Sequence, residues 1–195
     1  LVESQPGYVC CGEARSGREA VTVAEQLQPD VAIVDVTMPE MNGIEAARQI
    51  LKLCPSTKVL VFTVHDAEQV VVEIFRIGAH GYVLKSDAGS QLLQAIECVL
   101  GGRHYFSSRI SEVIFDSMRG GQPHAAPDPG DKPTAREREI IQLLAEGNGN
   151  KEVADQLGIS VKTVETHRAA IMRKLGLHSI GELVRYAIRN HIIEA

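Results

Sequence analysis

Three side chains of complementary chemistry stand at the ends of short apolar runs. Asp35 lies near the end of 31–36 in VAIVDVTMPEMNGIE, Thr63 ends 59–63 in VLVFTVHD, and Lys85 follows 82–84 in GYVLKSD. A carboxylate, a hydroxyl and an ammonium at one edge suit phosphoryl transfer. The carboxylate oxygen attacks phosphorus, the amine and a divalent cation neutralise phosphoryl oxygens, and the hydroxyl supplies a hydrogen bond. A plainer reading fits the same spacing, with Asp35 capping the loop before Pro39 and the other two merely in loops. A second group lies further along the chain. Lys162, Glu165, Thr166, Ala169 and Arg173 form one stripe of VKTVETHRAAIMRKL. Small and polar residues near a helix N-terminus can approach base edges in a major groove. An ordinary amphipathic helix with a solvated charged face has the same pattern.

The elements that must position these groups follow from periodicity. Runs 8–11, 31–36, 59–63 and 82–84 are short and rich in β-branched residues. The segment 31–34 is apolar without alternation, as a strand buried on both faces requires. Between the runs, 17–28, 44–53, 68–77 and 91–100 place apolar residues three and four apart, as in Ile44, Ala47, Ile50 and Leu51. Such alternation predicts a parallel sheet with helices on both faces, and ligands of such sheets sit at the carboxyl ends of the strands. From 134 onward everything reads as helix. Thr134 and Glu137 form a capping box, Gly147 ends the first helix, 151–157 is a short second helix stopped by Gly158, and Ser160 caps a third that stops at Gly176. On this third helix Val164, Ile171 and Leu175 face inward, flanked by His167 and Arg168. A fourth helix spans 179–190. The second and third helices form a helix-turn-helix.

The segment 120–133, GGQPHAAPDPGDKP, is a linker by its Gly and Pro content. The organisation expected is an α/β domain over 1–102, a linking helix and Pro/Gly-rich linker over 103–133, and a four-helix domain over 134–195. Charge divides the same way. Residues 1–131 carry 10 basic and 17 acidic side chains, net −7, whereas 132–195 carry 10 and 8, net +2. The whole chain has 195 residues, 44% hydrophobic and 23% charged, with no Trp. That composition excludes wholesale disorder and requires an aliphatic core. No run of about 18 apolar residues occurs, so no membrane span is expected, and the opening LVESQPGYVCCGE is not a signal peptide. Cys10, Cys11, Cys54 and Cys98 lack zinc-ligand spacing and read as buried thiols in a reducing cytoplasm. His65 and His80 read as surface or loop residues rather than metal ligands.

DVTMPEMNGIEA, VLVFTVHD and GAHGYVLKSDA, with 28 residues from Asp35 to Thr63 and 22 from Thr63 to Lys85, resemble the receiver domains of two-component response regulators. The resemblance covers roughly 1–102. It implies a flavodoxin-like parallel sheet, Asp35 as phosphoacceptor, and Lys85 paired with its carboxylate or phosphate. It also implies that Thr63 reorients onto the phosphoryl group, that Tyr82 swings inward with it, and that Mg²⁺ is held by Asp35 and the Thr37 carbonyl. Pro39 and Gly43 shape the loop, Gly43 through close approach or a positive φ. Ser86 replaces a Pro common after the lysine, which leaves the Lys85–Ser86 peptide open. By the same comparison LVESQPGY is the end of a first helix. A first strand and most of that helix, about 25–30 residues, are then missing, and with them the acids that join Asp35 around Mg²⁺. The reading is of a fragment that binds Mg²⁺ weakly or not at all and phosphorylates poorly. The alternative is a rearranged receiver in which 8–11 pairs with 31–36 or borrows a strand from a second chain; Glu13 is the nearest remaining acid.

TAREREIIQLLAEGNGNKEVADQLGISVKTVETHRAAIMRKLGL resembles the LuxR-type DNA-binding domain that follows a receiver in the NarL/FixJ family. It implies base contacts from Glu165, Thr166 and Ala169, and phosphate contacts from Lys151, Lys162, Thr163, His167, Arg168 and Arg173. It also implies dimerisation through Leu183, Val184 and Ala187, residues that pack inward equally well. Gly149 departs from the Ser or Thr that often caps the scaffold helix. Together the resemblances imply a cytoplasmic transcriptional response regulator, not an enzyme, phosphorylated on Asp35 by a histidine kinase and binding paired DNA half-sites as a homodimer. The rival is a phosphorylation-independent DNA-binding dimer or interaction switch with a degenerate receiver.

Overall fold

Three β-branched runs and the short Tyr105–Phe106 become parallel strands, in a computed structural model that describes residues 2, 5–119 and 133–193. They are β1 (Val31–Val34), β2 (Lys58–Thr63), β3 (Gly81–Leu84) and β4 (Tyr105–Phe106), ordered β1-β2-β3-β4. The register pairs Val34 with Val61 and Thr63 with Leu84. Strand ends 50 residues apart in the chain thereby share one sheet edge. The helices are α1 (Gly17–Leu27), α2 (Gly43–Leu53), α3 (Glu68–Arg76), α4 (Ala88–Leu100) and α5 (Ser108–Arg119). Caps place them: Ser16 accepts from the Glu19 amide and Asn42 from the Glu45 amide. One apolar layer packs Val21, Ala24, Ala47 and Ile50 against Val34 and Val59; another packs Val71, Ile74 and Ile114 against Val61 and Tyr82. Burying each large aliphatic side chain contributes about 1.5–3 kcal/mol.

Three expectations need correction here. Residues 8–11 form no strand and do not pair with β1. Their segment stands off the outer edge of β1 across a trough of about 850 Å³, lined by Val9, Gly12, Val23, Leu27, Ile33 and Leu100 among others. β1 is therefore not buried on both faces, and Ile33 is 40% exposed. For the same reason Cys10 and Cys11 are exposed rather than buried; only Cys54 is fully enclosed, and no disulfide is formed among the cysteines. Finally, 103–119 is not a connecting segment. Tyr105–Phe106 adds to β3, and α5 packs Ile110 and Ile114 into the core of the α/β unit, so the first compact unit is Leu1–Gly121. The linker read at 120–133 falls outside the described residues except for Pro133.

The second unit, Gln122–Ala195, contains α6 (Ala135–Ala145), α7 (Asn150–Leu157), α8 (Val161–Leu175) and α9 (Ile180–Arg189). Its core joins Ile140, Ile141, Leu143, Val153, Val164, Ile171, Leu183 and Ala187. The capping box at Thr134 and Glu137 is formed. Gly158 and Gly176 take φ of 63° and 64° at the C-caps of α7 and α8, the left-handed conformation that glycine adopts without a Cβ clash.

Candidate phosphorylation site and DNA-reading helix

Asp35 leaves the sheet one residue beyond β1. Its Oδ2 accepts a hydrogen bond from Lys85 Nζ at 2.5 Å, and its Oδ1 accepts from the Thr37 amide at 3.4 Å. The Asp35 and Lys85 side chains are 28% and 38% exposed, open enough for an incoming group. Lys85 also lies 5.8 Å from the centre of the Phe62 ring. The loop that carries Asp35 is closed by Gly43, whose amide donates to Val36 O at 2.8 Å. A Cβ at Gly43 would lie 1.7 Å from the Asp35 carbonyl oxygen, so close approach, not a positive φ, demands glycine. The Lys85–Ser86 peptide is trans.

Thr63 is fully buried beneath the site, and its Oγ1 accepts from the His65 amide at 3.3 Å. Tyr82 is 1% exposed, and its hydroxyl donates to the His65 carbonyl. Burial, and then the nearby Asp66 carboxylate, raise the Tyr82 pKa well above the usual phenol range, so it remains a donor. Across the site mouth, Thr37 Oγ1 and His65 Nε2 share a hydrogen bond of 2.7 Å. His65 thus ties Thr37, Thr63 and Tyr82 together. In the sequence His65 has the look of a loop residue, marked only by its position two residues after Thr63.

A divalent cation fits this site poorly. Mg²⁺ is a hard cation that takes oxygen ligands in near-octahedral geometry. Asp35 is a single carboxylate already paired with Lys85. Among the described residues no group of three His, Cys, Asp or Glu side chains is placed to hold a metal. Glu13 is exposed in the segment beside the trough.

On α8, Lys162, Thr163, Glu165, Thr166, Ala169 and Arg173 are exposed, as is Lys151 on α7; His167 and Arg168 are half-buried. Val164 and Ile171 anchor the opposite face in the core. Arg168 Nη1 donates to Asn150 Oδ1 at 3.4 Å, and Lys174 Nζ donates to Glu137 Oε2 at 2.8 Å. Desolvation pushes the Glu137 carboxyl up, but the Lys174 and Thr134 hydrogen bonds outweigh it and hold the group below the usual range. Gly149 caps α7 without a side chain, and Glu152 Oε2 accepts from its amide at 2.6 Å. The residues expected at a dimer contact divide. Leu183 and Ala187 are fully buried in the core of this unit, while Val184 is half-buried and the neighbouring Ile180 is 45% exposed.

Comparison with known proteins follows the same division. Residues 1–97 match the response regulator receiver domain family, and residues 133–187 match the family of bacterial regulatory proteins called luxR. The oxygen regulatory protein NreC of Staphylococcus carnosus is 38% identical, with 93% of this chain and 85% of that protein covered. The transcriptional regulatory protein MctR of Rhizobium johnstonii is 35% identical over 93% and 82%. A LuxR-family two-component response regulator from Aurantimonas superposes with a TM-score of 0.56 at 36% identity, over 60% of this chain and 84% of that one. The RcsB response regulator of Salmonella typhimurium gives 0.55 at 25% identity, over 95% and 88%. No helix among the described residues is long and apolar enough to cross a membrane. A parallel sheet presenting Asp35 beside Lys85, a helix-turn-helix unit, and relatives alike over nearly the whole chain lead to one conclusion: the chain belongs to the NarL/FixJ family of response regulators, DNA-binding transcription regulators that join a receiver domain to a LuxR-type domain.

Proposed function

We propose that Asp35 accepts a phosphoryl group from a phosphohistidine of a sensor kinase, and that the modified receiver controls DNA binding by the α7–α8 pair. The observation that carries this reading is the 2.5 Å contact between Lys85 Nζ and Asp35 Oδ2 at the carboxyl edge of the sheet. An Asp35 oxygen attacks phosphorus, the P–N bond breaks, and the imidazole leaves with the bonding electrons and takes up a proton. The product is an acyl phosphate. Lys85 balances its added negative charge. Thr63 releases the His65 amide and donates its hydroxyl hydrogen to a phosphoryl oxygen. That change reaches Tyr82 through the His65 carbonyl that its hydroxyl holds.

On DNA, Glu165, Thr166 and Ala169 meet base edges, and Lys151, Lys162, Thr163, His167, Arg168 and Arg173 meet phosphates. The helical domain's net +2 is small, so placed contacts carry affinity more than bulk field. A homodimer reads two half-sites. Its contact is the outer face of α9 at Ile180 and Val184, since Leu183 and Ala187 are enclosed. The cytoplasm is where such a regulator meets both kinase and DNA.

A second reading has an observation of its own. Asp35 is already ion-paired with Lys85, and among the described residues no group of three His, Cys, Asp or Glu side chains is placed to hold a cation, which favours a receiver that acts without phosphorylation. Acetyl phosphate labelling separates the two. Acid-labile phosphate incorporated by the chain and lost in Asp35→Asn supports transfer. DNA binding equal in both, with no labelling in either, supports the second reading.

A further inference from the structure

We infer that Thr166 reads thymine through its methyl group, with Ala169 supplying a second methyl beside it. The inference rests on the reading of α8 as the base-contacting helix and assigns a base to one of its positions. Thr166 is exposed, yet its Oγ1 donates to the Lys162 carbonyl one turn back at 2.9 Å. A hydroxyl has one proton. Spent on the helix, it cannot go to purine N7, guanine O6 or thymine O4 unless that bond is given up. With the hydroxyl turned onto its own backbone, the staggered side chain leaves the methyl as its outward group. Ala169 is exposed one turn further on and has only a methyl to offer. The two lie about 4.5 Å apart along the helix axis, close to the roughly 3.4 Å between successive bases of a strand. Thymine's 5-methyl is the apolar group that the major groove displays, and Ala and Thr methyls are its natural contacts.

Thr163 makes the contrast. Its hydroxyl bonds Ser160 Oγ at 2.7 Å within the N-terminal cap of α8, so it belongs to the helix start. Glu165 is the single carboxylate of α8; it has the chemistry to accept from cytosine N4 or to orient Arg168 or Lys162.

The test uses the full chain and a randomised double-stranded DNA pool. After selection, each thymine of the recovered site is replaced by deoxyuridine, which differs only by the methyl. One or two positions should lose about fourfold in affinity, the worth of one buried methyl. Thr166→Val, which keeps a methyl and lacks the hydroxyl, should retain both the thymine preference and the deoxyuridine penalty. Thr166→Ser, which keeps the hydroxyl and lacks the methyl, should lose the penalty at one position while melting unchanged. The opposite ranking, or a site indifferent to deoxyuridine everywhere, overturns the inference. Glu165→Ala and Lys162→Ala locate the fault. If they broaden or weaken binding while deoxyuridine does nothing, the methyl assignment alone is wrong. If they too change nothing, α8 does not read DNA and the assignment falls with it.

Discussion

In the receiver unit the candidate reacting groups come from three strand ends, Asp35, Thr63 and Lys85, separated by 28 and 22 residues. They meet because β1, β2 and β3 lie in parallel register. In the helical unit the candidate contacts, apart from Lys151, fall within residues 162–173 of α8. The two sites therefore differ in what can disturb them. The receiver site depends on backbone positions that no participating side chain controls, such as the space at Gly43. The α8 face survives local change, and what must be held is its aim. Lys174 to Glu137 ties it to α6, and Arg168 to Asn150 ties it to α7.

The sharpest way to break the comparison is Gly43→Ala. A methyl driven to 1.7 Å from the Asp35 carbonyl oxygen forces the loop off its path. We expect a loss of about 3 kcal/mol or more from the receiver and no labelling of Asp35. The melting of the helical unit should not change. A single calorimetric transition that shifts as a whole would show that the units are not independent in this respect.

A smaller effect distinguishes the units by pH. His80 Nδ1 accepts from the Val59 amide at 3.1 Å, and its ring stacks on His104 at 5.8 Å. Burial lowers the His80 pKa, with Lys58 and His104 adding to the effect. The unfolded chain thus binds more protons than the folded one between the depressed value and 6.5. Receiver stability is full above 6.5 and is lost as pH falls toward and through the lower value. Urea unfolding of the wild type and His80→Gln at several pH values reads this directly. A variant with an undiminished slope would remove His80 as the cause.

Smallest of all is Gly149→Ser. Its φ of −75° and ψ of 165° suit any residue, and a serine hydroxyl would supply the missing cap of α7. We expect a gain of about a few tenths of a kcal/mol in the helical unit alone, read as a raised melting temperature. Loss of stability would mean that Glu152, 3.4 Å from the new Cβ, is displaced from the Gly149 amide.

Much of this was legible because it is local. The Thr134–Glu137 box, the Ser160 cap and the stops at Gly158 and Gly176 depend on residues three or four apart, and each forms as read. The inward stripe of Val164 and Ile171 follows from helical period alone. Where periodicity does not decide, the deciding contact is remote. The run 8–11 has strand-forming residues, but a strand requires a neighbour's hydrogen bonds, and β1 stands across the trough. Residues 105–106 are too few to signal a strand and exist because the His80 carbonyl and β3 accept them. Leu183 and Ala187 share one periodicity whether they face a core or a partner, and only the packing of α6 against α9 encloses them.

The amino-acid order by itself determined the alternation of strand and helix, the two units and the identities of Asp35, Thr63 and Lys85, because period and end chemistry act over one or two turns of chain. Tertiary structure decided the rest. It set the 2.5 Å approach of Lys85 to Asp35 and the His65 ties to Thr37, Thr63 and Tyr82. It also turned the Thr166 hydroxyl onto its own helix. Each of these depends on where a donor finds its acceptor, and that is a distance through space rather than a spacing along the chain.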